Sequence, residues 1–256
     1  MGILNITPDS FYDGGRLNEL DAVLRQAESM LTAGAVLLDI GGASSRPGAD
    51  AVPESKELQR ILPVVEAIAR RFPEAFISID TWRAEVAVAA LGAGAVLVND
   101  ISAGKLDLAL YPAVAQADCP YVLMHMQGTP ETMQTAPEYD DVVQEVLDFF
   151  IEETDKLRAL GIKDIVLDPG FGFGKSVRHN YQLLQNLEVF SSTLDLPVLA
   201  GLSRKSMICK VLHVNPDRAL NGTTALHMVA LQRGANILRV HDVREAVEVI
   251  QLWQQL

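Results

Sequence analysis

Several residues able to do chemistry each follow a short apolar run: Asp80, Asn99, Asp168 and Lys205. Asp168 is the sharpest case. It ends the run Ile165-Val166-Leu167 and precedes Pro169; glycine and phenylalanine then alternate through Gly170-Phe171-Gly172-Phe173-Gly174 to Lys175. Three apolar residues are too few for a helix and read as a strand. The proline ends the ladder, and the glycines let backbone approach a ligand closely. An acid fixed there suits a binding site better than a core. A phosphate-cradling P-loop is excluded, because Pro169 stands where that motif needs glycine. A dinucleotide fingerprint is excluded by the strict alternation of the glycines.

Asp80, Asp168 and Asn99 together offer several acceptors and one amide. That set suits an aminopyrimidine-like heterocycle, whose ring N–H and NH2 groups donate and whose carbonyl accepts. Phe173 can flank such a ring. For Asp80 the competing reading is an N-cap of the helix after Thr81. Positive charge comes from Arg46, Lys205, Arg239 and His241. Arg239 and His241 alternate along one strand end and so face the same way, which fits a phosphate. Any metal would be a hard cation on oxygen ligands, most simply magnesium bridging a diphosphate, with Asn5 the nearest amide. His125, between Met124 and Met126, reads as a buried, satisfied histidine below the site. His179, His213 and His227 read as ordinary helix or loop residues. Zinc-like spacing of Cys and His is absent.

The whole chain narrows the classes. Its net charge of −12 argues against nucleic acid and anionic membrane as partners, and requires local cations for an anionic substrate. The two cysteines are too few for a disulfide scaffold and read as reduced thiols in a cytoplasmic protein. The longest apolar stretches are too short to span a bilayer, and the start lacks the basic region of a signal peptide.

These residues need elements to hold them. Eight apolar runs, at 3–6, 36–40, 76–79, 96–98, 121–124, 165–167, 198–202 and 237–240, alternate with helical patterns. The later helices are expected at 106–117, 140–160, 181–189, 219–233 and 243–253. Eight strand–helix units imply an α/β fold, a TIM (β/α)8 barrel formed as one domain over 1–256, with a doubly wound sheet as the competing architecture. A barrel places its chemistry at the carboxyl ends of its strands. Those ends are Asn5; Asp39 before Gly41-Gly42; Asp80; Asn99-Asp100; His125; Asp168; Ser203-Arg204-Lys205; and Arg239 with His241-Asp242. All eight are polar, which supports the barrel reading. Glycine-rich segments after the first two strands, 7–15 and 41–48, can act as lids.

Taken in order, the motifs Asn5-Ile6-Thr7-Pro8-Asp9-Ser10-Phe11, Gly41-Gly42-Ala43-Ser44-Ser45-Arg46-Pro47-Gly48, Asn99-Asp100-Ile101, Leu123-Met124-His125-Met126, Asp168 to Lys175, Ser203-Arg204-Lys205-Ser206 and Arg239-Val240-His241-Asp242 resemble dihydropteroate synthase over the whole chain. The resemblance implies a TIM barrel that joins 6-hydroxymethyl-7,8-dihydropterin diphosphate to p-aminobenzoate in folate synthesis, with magnesium. It implies that Asp80, Asn99, Asp168 and Lys205 bind the pterin, with Ile101 and Met124 lining the slot. Asn5 would hold magnesium beside the diphosphate, which Arg46, Arg239 and His241 would grip. Phe11, Ser45, Pro47, Phe173, Lys205 and Ser206 would frame p-aminobenzoate. Asp13 would close over the reaction centre, so that Asp13, Asp80, Lys205 and Arg239 form the catalytic set. A homodimer is also implied, and the small residues Gly222-Thr223-Thr224-Ala225 suit close helix approach.

The chain departs from the family pattern at Ala43, where an acid is usual, at Ser45 for threonine, and at Tyr12 for a small polar residue. A short extension before the first strand is also usual in the family. These departures keep open a non-catalytic pterin-binding relative; a barrel of the methyltetrahydrofolate methyltransferase kind, which also uses Asp and Asn at strand ends, is the other alternative.

Overall fold

The computed structural model describes residues 1–6, 16–43, 52–129, 132–133 and 137–256. Short apolar runs form parallel strands, and amphipathic segments form the helices between them. The order is β1 (Gly2–Asn5), α1 (Arg16–Thr32), β2 (Leu37–Gly41), α2 (Glu54–Arg71), β3 (Phe76–Asp80), α3 (Ala84–Gly92), β4 (Leu97–Asp100), α4 (Leu110–Ala117) and β5 (Tyr121–Met124). It continues with α5 (Val142–Ala159), β6 (Ile165–Asp168), α6 (Val177–Gln185), α7 (Glu188–Leu194), β7 (Leu199–Ala200), α8 (Ser206–Leu212), α9 (Leu220–Gln232), β8 (Ile237–Leu238) and α10 (Val243–Trp253).

Strands β1 to β6 pair in sequence order, and β7 pairs with β8. Single parallel bridges join the two groups: Leu167 to Val198 on one side and Gly2 to Val240 on the other. The bonds Leu167 N to Pro197 O (2.8 Å) and Ile3 N to Val240 O (2.9 Å) complete the ring. The fold is therefore a TIM-type barrel of eight parallel strands, not an open sheet.

Period-two alternation separates the two faces of each strand. Leu4, Leu38, Ile40, Ile77, Ile79, Val98, Leu123 and Leu167 point outward into one large core shared with the helices. Leu97, Val122, Val166 and Leu199 form a separate inner cluster, with Met1 and Ile237 packed against it. Two residues further along the same strands stand Asn99, Met124, Asp168 and Gly201. The barrel interior thus changes from an apolar plug to a polar mouth in one two-residue step.

The helices begin where the chain supplies partners for their free N–H groups. Asp141 caps α5, accepting from Val143 N (2.9 Å) and Gln144 N (3.2 Å). Ser176 and His179 form a capping box on α6. Acids Glu54 and Glu57 open α2, and Arg70 and Arg71 close it, each matching the helix dipole. No helix among the described residues is long and apolar enough to cross a membrane.

Several expected boundaries shift. The fourth helix starts at Leu110 rather than 106, because Asp107 turns back and accepts from Ala109 N at 3.0 Å and Ala84 N at 2.7 Å. The expected helix 181–189 is two: α6 ends at Gln185 and α7 starts at Glu188. The helix over 206–212 escaped the sequence pattern because it is only 7 residues long.

Gly222 on α9 has a reason within the chain. A Cβ there would lie 2.5 Å from Ile208 Cγ2 and 2.7 Å from Leu212 Cδ1, so the glycine lets α8 seat on α9. Gly222→Ala is expected to lower stability by about 1 kcal/mol, since overpacking against buried Ile208 outweighs the better helix propensity. A thermal melt showing an unchanged or higher Tm would contradict this.

Candidate active site

The register of the ladder makes the mouth. Asn5 pairs level with Gly41, Gly41 with Asp80, Asp80 with Asn99, and Met124 with Asp168. Asn99 in turn pairs with Val122, two residues before Met124, so the strand ends present these side chains on one inward face of the mouth. Arg239 reaches into the mouth from beyond β8. Its Nε donates to Asp39 Oδ2 and its terminal nitrogen to Asp80 Oδ2, both at 2.6 Å. Asp39 is fully buried and also accepts from Ser78 Oγ (2.6 Å) and Asn99 Nδ2 (3.0 Å). Burial opposes the charge on Arg239, but Asp39 and Asp80 outweigh it and hold the guanidinium protonated. Burial pushes the Asp80 carboxyl up to about 7, against the pull of Arg239.

The second half is organised by Asp168 and Lys205. Asp168 is 6 % exposed, and its Oδ1 accepts from Gly170 N at 2.8 Å. Burial raises its pKa, while Lys205 and that backbone bond pull the other way. Lys205 Nζ and Asp168 Oδ2 both lie over Gly201, at 3.8 and 3.9 Å from where a Cβ would stand. The lysine stem runs past Gly172, and its ammonium donates to the Phe171 carbonyl. The same Nζ sits 4.6 Å from the Phe173 ring centroid. Burial lowers the Lys205 pKa to about 8, with Asp168 opposing.

Neighbouring turns are held by buried carboxylates. Asp100 accepts from Ser102 N and Gly104 N, both at 2.7 Å, and from Tyr121 OH at 2.6 Å. That fixes the turn carrying Ile101, which is 4 % exposed. Glu57 on α2 is fully buried; it accepts from Thr81 Oγ1 at 2.8 Å and pairs with Arg83. Arg60 donates to Gly42 O at 2.9 Å, so α2 steadies the ends of both β2 and β3.

The described part of the mouth thus brings together Asn5, Asp80, Asn99, Met124, Asp168, Phe173, Lys205 and Arg239. Asp80 does not cap a helix: α3 starts at Ala84, whose N–H is bonded by Asp107. His241 lies on the exposed rim, past the end of β8, with its N–H donating to Ser203 Oγ at 3.2 Å. Ser206 is exposed at the start of α8. Arg204 turns outward, away from the mouth, and pairs with Asp242 at 2.8 Å. His125 is buried and bonded, as expected. His227 departs from expectation: it is 1 % exposed and neither ring nitrogen has a partner. Phe11, Tyr12, Asp13, Ser45, Arg46 and Pro47 lie outside the described residues.

Sequence reasoning passed over two groups. Asp39 was visible as a strand-end acid in an otherwise apolar run, but nothing local says that it anchors Arg239. Lys175 was visible in the glycine-rich motif, and only the fold shows that it is buried against His125.

The fold and its acceptor-lined mouth define a class of barrel, and the chain matches the family described as pterin binding enzyme over residues 1–241. It is 50 % identical over 254 residues to dihydropteroate synthase of Escherichia coli K12, covering 98 % of this chain and 89 % of that protein. To the Haemophilus influenzae dihydropteroate synthase it is 51 % identical over 256 residues, covering 99 % and 92 %. The Yersinia pestis dihydropteroate synthase, solved with a sulfonamide drug complex, superposes with a TM-score of 0.92 at 47 % identity over 100 % of this chain and 92 % of that one. The Xanthomonas albilineans enzyme, solved with 7,8-dihydropteroate, gives 0.88 at 42 % identity, covering 100 % and 92 %. The chain belongs to the dihydropteroate synthase family.

Proposed function

We propose that this chain condenses 6-hydroxymethyl-7,8-dihydropterin diphosphate with p-aminobenzoate, giving 7,8-dihydropteroate and pyrophosphate. The observation that carries the reading is the convergence of Asp168 and Lys205 on Gly201, in the same mouth as Asn99 and the Asp80–Arg239 pair. Two acids and an amide match the donors and acceptor edge of the pterin. Met124 and Ile101, both buried, supply apolar walls for its faces.

In this reading the C–O bond to the diphosphate breaks first, leaving a cation delocalised over the pterin. The carboxylates of Asp80 and Asp168 stabilise that charge where it develops. Arg239, held protonated, with Arg46 and His241, receives the charge of the departing diphosphate. The neutral arylamine nitrogen then forms the C–N bond and loses one proton. Phe173, Lys205 and Ser206, with Phe11, Ser45 and Pro47, frame p-aminobenzoate; Asp13 closes from the first loop. Magnesium, when bound, supplies further charge to the diphosphate. Asn5 Oδ1 and Asp80 Oδ2 both lie beside Gly41, within 3.7 Å of where its Cβ would stand, so the oxygen donors suit a hard cation that keeps most of its waters. Among the described residues no cluster of three or more His, Cys, Asp or Glu is placed to hold a metal ion. The whole chain, 1–256, acts as one domain, as a cytoplasmic homodimer; its cysteines, Cys119 and Cys209, are unpaired. Light scattering at micromolar concentration tests the dimer.

The direct test is pyrophosphate release with magnesium, with and without p-aminobenzoate. Release coupled to dihydropteroate supports the synthase. Pterin binding without turnover would make the chain a binding protein instead.

A pH dependence follows. Ionised Asp80 is required, so kcat/KM should rise as pH climbs through about 7. Charged Lys205 is required, so the rate should fall above about 8. Asp80→Asn should flatten the acid limb of whatever activity remains. A profile flat from pH 6 to 9 would remove both roles.

A further inference from the structure

Lys175 is a buried cation that touches neither substrate in the reading above. It closes the glycine-rich loop after β6 and is 3 % exposed. An ammonium has three N–H donors, and three acceptors surround this one. They are His125 Nδ1 at 2.9 Å, the His125 carbonyl at 3.2 Å and the Phe173 carbonyl at 3.0 Å. For Nδ1 to accept, the imidazole must carry its proton on Nε2. Burial, with Lys175 and Lys105 nearby, holds His125 neutral, its pKa lowered to about 2. Burial pushes the Lys175 pKa well down and Lys205 adds a like charge; Asp168 opposes them as counter-charge, and the three acceptors bind the protonated form best.

A buried ion is a poor way to add stability, since an apolar side chain of similar volume commonly does as well. What the ammonium does is geometric. It connects the end of β5 to the peptide of Phe173, in the middle of the loop. The Phe173 ring lies against Lys205 Nζ, and the Phe171 carbonyl two residues earlier accepts from the same Nζ. The loop is also held at its edges, by Asn180 Oδ1 on Gly172 N (2.7 Å) and Tyr139 OH on Gly174 O (2.8 Å). Lys175 pins the part between.

We propose that Lys175 is a positioning residue for the p-aminobenzoate side of the site: by tying the Phe173 carbonyl to the end of β5, it sets the loop against which Lys205 is held. This rests on the reading of Phe173 and Lys205 as p-aminobenzoate contacts.

The test is two-substrate kinetics on Lys175→Met, with thermal melting alongside. The KM for p-aminobenzoate should rise about tenfold with kcat within about threefold, and the KM for the pterin diphosphate, which Lys205 also touches, should rise clearly less than that. Lys175→Arg, which keeps donors, should recover most of the loss. A p-aminobenzoate KM within about twofold of wild type in the folded Met variant overturns the proposal, as does an equal rise in both KM values. If the Met variant does not fold, Lys175→Gln carries the same comparison, with a smaller rise expected and an unchanged KM overturning it. Phe173→Ala separates the two ideas: if it leaves the p-aminobenzoate KM unchanged, the site reading fails, whatever Lys175 does.

Discussion

Asp168→Asn is expected to reduce kcat/KM by about 10³-fold while the protein stays folded, measured as pyrophosphate release at saturating p-aminobenzoate. The carboxylate has two tasks. Oδ1 takes the Gly170 N–H, and Oδ2 faces the space over Gly201 within the field of Lys205. An amide can keep one acceptor, but its NH2 must then face either a backbone N–H or an ammonium, and both are donors. It also removes the negative charge that pairs with the pterin. Charge-assisted hydrogen bonds from the pterin's N–H groups to this carboxylate would contribute roughly 1.5–3 kcal/mol each, so losing two accounts for the expected loss. Stability should change little, because burial already disfavours the charged form of Asp168 and the amide is the same size. A loss under about tenfold would remove Asp168 from the pterin site.

Gly170→Ala is expected to cost about 3 kcal/mol or more of stability, read as a shift in the urea midpoint or as loss of soluble protein. Gly170 has φ +67°, a left-handed conformation. A Cβ there would overlap the His125 carbonyl oxygen, which is backbone and cannot rotate away. That same oxygen accepts from Lys175 Nζ at 3.2 Å, so displacing it would also loosen the loop. Gly161 provides the control. It has φ +92° but nothing within 4 Å of a Cβ, so Gly161→Ala carries only the backbone penalty, roughly 1–2 kcal/mol. Equal losses in the two variants would show that the close approach to His125 is unimportant.

Strand–helix alternation was legible because each strand is a short apolar run and each helix shows a stripe. The last helix lies where periodicity puts it, Val243–Trp253, and the fifth strand likewise, Tyr121–Met124. The strands at 198–202 and 237–240 shrink to Leu199–Ala200 and Ile237–Leu238, because only part of each apolar run pairs regularly. The site was legible as a set of residue types at strand ends. Its wiring was not. Whether Asp80 would cap a helix or bind Arg239 depends on a partner 159 positions away, and Asp39 meets Arg239 across 200. His227 looked ordinary because its burial is set by the packing of α9, which no local pattern reports.

The two-residue step inside the barrel has a consequence for how this chain can change in length. Leu97 and Asn99, Val122 and Met124, Val166 and Asp168 share a strand face, so each strand carries plug and site in one reading frame. Inserting or deleting a single residue within β4, β5 or β6 would exchange the inward and outward sets, moving Asn99, Met124 or Asp168 among the helices and turning Val98, Leu123 or Leu167 into the mouth. Length variation should therefore be tolerated in the connections between elements and rejected inside these strands. A library of single-residue insertions, sorted by complementation of growth without exogenous folate products, should show survivors between the strands and gaps across them.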